Sequence, residues 1–140
     1  MKKYLLIGLL WLLSFTTKGQ TFPYQSDSCY YYEDVNVPSY VTYSIHYDVT
    51  IIRTGDITVL HITSVKDTNN RYTIRIDSLL ATRENMRSKL FLFKGFELNL
   101  KTIAVVSFMY RDGKLAGIGV SDEEALIVWD IKPAIKLEDL

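Results

Sequence analysis

The 140-residue chain balances 16 basic against 16 acidic side chains, holds one cysteine and two histidines, and is 48% hydrophobic and 13% aromatic. Such a chain can build one well-filled core but not two, and a lone cysteine excludes a disulfide-stapled scaffold. The absence of a basic excess argues against general nucleic-acid binding, which rests on clustered Lys and Arg neutralising phosphates.

Lys2 and Lys3 precede an almost wholly apolar run, Tyr4 to Phe15, and a short polar stretch, Thr16 to Gly19, follows. This three-part order is that of a secretory signal peptide. The apolar run is twelve residues long, whereas a membrane-crossing helix needs about 20. The expectation is therefore a cleaved signal over residues 1–19 and an exported protein, periplasmic or extracellular. Membrane contact would come only through an uncleaved signal. Loss of Lys2, Lys3 and Lys18 leaves 13 basic and 16 acidic side chains, a net charge of about −3.

Residues 20–37 read as a tyrosine-rich N-terminal arm. Cys29 adjoins Tyr30, Tyr31 and Tyr32. It lies too far past the apolar run to be a lipoprotein cysteine, and a buried, inert thiol is the simplest reading. Tyrosine joins apolar area to a polar tip, which suits interfaces and sugar stacking. Tyr30, Tyr31 and Tyr32 are accordingly candidate binding residues, for a protein, a glycan or an envelope component. An arm laid against its own domain would give the same pattern.

A single globular domain is expected over residues 38–131. From Val41 to Ile51 apolar and polar residues alternate strictly, the signature of a strand with one wet face. A turn at Arg53–Asp56 leads to a second strand, Ile57 to Val65, and a turn at Lys66–Asn70 to a third, Arg71 to Asp77. Pairing Arg53 with Asp56 sets Val49 opposite Leu60 and Tyr47 opposite Ile62. A five-residue second loop sets Leu60 opposite Ile76, and both registers keep the apolar residues on one face.

The same register aligns Asp48, His61 and Arg75 on the wetter face, a carboxylate, an imidazole and an anion-holding guanidinium. These are the candidate catalytic residues. His46 is a diagonal neighbour of His61 there, so His46, His61 and Asp48 are the candidate metal ligands. A solvated row of cross-strand polar pairs explains the pattern equally well.

Residues 78–94 are expected to be a helix. Ser78 can cap it, Leu79, Met86, Leu90 and Phe93 share a stripe, and Gly95 can stop it. A rival reading makes Leu90–Phe93 a strand turning at Lys94–Gly95. Ile103 to Tyr110 suits a central strand, and Asp112–Gly113 signals a hairpin returning through Leu115 to Val120. A two-residue loop there sets Phe108 against Gly117 and Val106 against Gly119. Ala125 to Ile131 reads as a last strand, and 132–140 as a tail.

The sequence contains no HExxH, CxxC, P-loop, GxGxxG or GxSxG pattern, and no cofactor is expected. The reading is an α+β, β-dominated protein, an antiparallel sheet of about six strands with one helix packed on it. A small closed β-barrel is the alternative. The expected function is a non-enzymatic binding or interaction module; a small hydrolase or metal-dependent enzyme using Asp48, His61 and His46 is the alternative.

Overall fold

The structure, a computed structural model, describes residues 20–133. The signal peptide expected over 1–19 and residues 134–140 of the expected tail lie outside that range. The described residues form strands and turns only. The strands are β1 (Gln20–Ser26), β2 (Cys29–Tyr32), β3 (Val41–Tyr43), β4 (Tyr47–Thr54), β5 (Ile57–Ser64), β6 (Arg71–Glu84), β7 (Ser88–Glu97), β8 (Thr102–Arg111), β9 (Lys114–Ser121), β10 (Leu126–Asp130) and β11 (Lys132–Pro133).

All pairings are antiparallel, in the order β11-β1-β4-β5-β6-β7-β8-β9-β10-β2-β3. Three neighbouring pairs of segments are single bent strands: β1–β2, β3–β4 and β10–β11. The first of these joins the two ends of the sheet. β1 pairs with β4 and β11, while β2 pairs with β10 and β3. The amide of Asp130 continues the ladder across the bend by donating to the Ser28 carbonyl. The sheet thus curls into a barrel of eight consecutive strands, three bent and five single. Asp27 braces the bends, pairing with His46 before β4 and with Lys132 of β11.

The fold corrects the expectation of a six-stranded sheet with one helix; the barrel alternative comes closer. Residues 78–94 are not helical. They form the outer half of β6, a turn at Asn85–Arg87 and most of β7. The Asn85 carboxamide oxygen accepts the amides of Arg87 and Ser88, which closes a tight turn where an unbroken helix was expected. β7 then runs straight through Lys94–Gly95, zipped to β8 from Ser88↔Arg111 to Glu97↔Thr102. The helical stripe of Leu79, Met86, Leu90 and Phe93 loses to a ten-pair ladder that the local sequence does not announce.

Two expected registers also shift. Val49 faces Ile62 and Leu60 faces Ile74, each two residues from expectation. The β4–β5 loop is only Gly55–Asp56, with positive φ at Gly55 alone, as a two-residue hairpin turn allows. A slip of two preserves facing, so the apolar residues still point inward. At the β8–β9 hairpin Asp112 and Gly113 both take positive φ, the expected Asp-Gly turn. A bulge at Ala116, opposite the step from Met109 to Tyr110, then sets Phe108 against Ile118 and Val106 against Val120. Gly117 and Gly119 consequently lie opposite Met109 and Ser107, not opposite the core residues.

Inside the barrel, Val49, Leu60, Ile62, Ile74, Val106, Ile118 and Trp129 are fully buried. Alternate residues of every wall strand contribute to this filling, as in other small barrels. Tyr47 and Tyr72 meet the Trp129 ring edge-on, at 5.9 and 5.3 Å between centroids. Glu97 locks the base. Its Oε1 accepts the Thr73 amide and its Oε2 the Leu100 amide, so one carboxylate ties β6 to the β7–β8 turn.

A candidate ligand cavity at the barrel mouth

The fully buried side chains gather at the middle of the barrel, and the packing opens towards the end where β4 meets β5 and β8 meets β9. There a cavity of about 430 Å³ opens, within the usual size range of small-molecule sites. Its wall is built by period-two alternation. Phe22 and Tyr24 come from β1, Ile51 and Arg53 from β4, Phe91 and Phe93 from β7, and Phe108 and Tyr110 from β8. Thr58 and Ile76 complete it. Below lie Val49, Leu60, Ile74 and Val106, all fully buried, which form a floor.

The aromatic rings hold one another in place. Phe93 meets Phe108 at 5.7 Å and 81°, and Phe91 meets Tyr110 at 5.8 Å and 89°, both edge-to-face. Edge-to-face contacts at these separations are favourable by about 0.5–1.5 kcal/mol each beyond the area they bury. Burial pushes the Tyr110 hydroxyl above its ordinary pKa, with nearby Tyr24 adding to the effect. Phe22 is 42% exposed and stands at the opening. Two further hollows adjoin this cavity, one sharing Phe91 and Tyr110 with it, the other Phe22, Tyr24 and Tyr110.

The residues singled out from sequence lie elsewhere. His61, on the outer face, sits opposite Thr50 and Thr73, and its Nδ1 is 3.2 Å from the Thr73 hydroxyl. Asp48 pairs in register with Thr63 and Arg75 with Val59. The directly opposed Asp48–His61–Arg75 row is therefore not formed, and the Arg75 guanidinium bonds to Asp77 instead. His46 is occupied by Asp27, at 2.5 Å. Among the described residues no three His, Cys, Asp or Glu side chains gather as a metal site would require.

The tyrosine run is split by strand alternation. Tyr31 shares the face of Cys29, whereas Tyr30 and Tyr32 point outward onto Tyr40, at 5.5 and 5.2 Å between centroids. The Tyr30 hydroxyl donates to Asp130 at 2.7 Å, and that carboxylate raises its pKa. Cys29 is buried opposite Trp129. Its thiol pKa is raised by burial, only partly offset by a hydrogen bond with Tyr47, so it is a poor nucleophile.

The cavity residues were not anticipated, although the sequence carries a sign of them. Phe22/Tyr24, Phe91/Phe93 and Phe108/Tyr110 are aromatic pairs spaced by two, and all three meet at one end of the barrel. Comparison with protein families, characterised proteins and solved structures finds no match to this chain, so the geometry alone carries the functional reading.

Proposed function

We propose that the protein is an exported, non-enzymatic binding protein that takes a small, largely apolar ligand into the mouth of its barrel. The cavity lined by paired aromatic residues over a sealed apolar floor is the observation that carries this reading. Eight-stranded barrels have room for a single small ligand beside their own side chains, and water in an aromatic cavity is readily displaced. The distribution of polarity favours a water-exposed barrel. The interior is mostly apolar, and the outer face mixes Asp48, His61, Arg71 and Arg75 with scattered exposed apolar residues, unlike the apolar belt around a polar lumen of a membrane-embedded barrel. Export remains supported by the basic-apolar-polar pattern of residues 1–19.

Titration with N-phenylnaphthylamine, a neutral dye that brightens in apolar surroundings, tests the proposal. The wild-type protein should bind it at one saturable site. Thr58→Trp, which adds an indole at the cavity wall, should abolish binding while leaving the strand circular dichroism intact. Equal dye binding by the folded tryptophan variant would refute the cavity as the site.

A further inference from the structure

We propose that the ligand is an amphipathic carboxylate, its tail among the aromatic rings and its head group on Arg53. This rests on the cavity reading above and adds the charge of the ligand to it. Arg53 is the last inward-facing residue of β4, directly above Ile51 and opposite Thr58. Among the described residues, no carboxylate lies within ion-pair distance of it. A guanidinium at the rim of an aromatic cavity remains hydrated when the site is empty, so it carries little of the penalty of a buried charge. When a carboxylate arrives, its fork offers two parallel donors, with the Thr58 hydroxyl alongside.

The charge around the opening points the same way. Arg53, Arg87, Lys89, Arg111, Lys114 and Lys132 line the cavity and the hollows adjoining it, against Glu84 and Asp112, with Asp56 in the β4–β5 turn at the same end. Lys132 is engaged by Asp27, and Lys89 lies over the Phe91 ring at 5.1 Å. The opposite rim carries the acidic runs Glu33–Asp34, after β2, and Asp122–Glu124, between β9 and β10, beside Lys66 and Lys101. A domain that carries a net charge of about −3 once residues 1–19 are removed is thus polarised along the barrel axis, with its more cationic end at the mouth, which steers anions toward the cavity. Size sets the tail. About 430 Å³ is roughly fourteen water volumes at ~30 Å³ each, which suits a single medium-length chain better than a two-tailed lipid.

Displacement of bound N-phenylnaphthylamine by decanoate and by decanol, in wild-type protein, Arg53→Met and Arg53→Lys, tests the assignment. Arg53→Met should raise the decanoate concentration needed by about tenfold or more, the effect of losing one charge-assisted contact. It should leave the decanol value within about twofold, and Arg53→Lys should recover part of the loss. Equal changes for the two ligands, no change for decanoate, or failure of both to displace a bound dye would overturn the carboxylate assignment while the cavity reading stands. Failure of the dye itself to bind wild-type protein would overturn both.

Discussion

Glu97 is 3% exposed, and its two oxygens have separate duties. Oε1 accepts the Thr73 amide at 3.0 Å and the Asn99 carboxamide at 3.2 Å, and Oε2 accepts the Leu100 amide at 2.5 Å. Hydrogen bonds to a charged group contribute about 1.5–3 kcal/mol each. Glu97→Ala strips the acceptor from two backbone donors, so the expected loss is ~3–6 kcal/mol, a large share of the ~5–15 kcal/mol that holds a domain folded. Glu97→Gln keeps one oxygen and turns an NH₂ toward one of the two amides, for a loss of roughly half that. Urea unfolding followed by the emission of buried Trp129, on protein expressed from Gln20, reads both. With a denaturant slope of about 2 kcal/mol/M, the alanine midpoint should fall by roughly 1.5–3 M. An alanine variant within ~0.5 kcal/mol of wild type, or a glutamine variant as unstable as alanine, would refute the two-oxygen clamp.

Two further outcomes follow from the barrel wall and its turns. A Cβ at Gly95 would stand 2.8 Å from Ile74 Cγ2 and 3.2 Å from Val106 Cγ2, both fully buried neighbours. Gly95→Ala should therefore cost about 1–3 kcal/mol by overpacking. Calorimetry should show a fall in melting temperature, by roughly 4–8 °C per kcal/mol for a domain of about this size; an unchanged melting temperature would mean a looser interior. At the β9–β10 turn Asp122 accepts the amides of Ala125 and Glu124, which lower its pKa. A carboxyl with a lowered folded pKa stabilises above its unfolded value, near 3.9, and loses that contribution as pH falls through the folded one. Asp122→Asn should thus flatten the acid limb of the stability curve, whereas parallel curves for variant and wild type below pH 4 would contradict the assignment.

β4 was legible because alternation through Tyr47–Ile51 admits no helical reading, whereas the same alternation hid the bend at 44–46 and the exposure of Val41 and Tyr43 in β3. The Asp112–Gly113 turn was legible because positive φ at both positions selects few residue pairs. Register was harder. A two-residue shift at Gly55–Asp56 leaves every facing unchanged, so agreement between faces could not distinguish the two alignments. The bulge at Ala116 had no mark in the sequence that set it apart from a regular ladder. At 78–94 both patterns were present, and the ladder between β7 and β8 decided the outcome through residues outside the segment. Closure of the barrel was hidden for the same reason, since Tyr24 meets Pro133 from the far end of the chain. The cavity depends on that closure: its aromatic pairs could be seen singly, but not their convergence.

The most direct test of the proposed binding site is where a bound ligand touches the protein. With phenylalanine and isoleucine side chains isotope-labelled, nuclear Overhauser contacts from bound N-phenylnaphthylamine should reach Phe91, Phe93, Phe108 and Ile51 at the mouth. Contacts confined to other parts of the surface, with those four silent in the saturated complex, would contradict it.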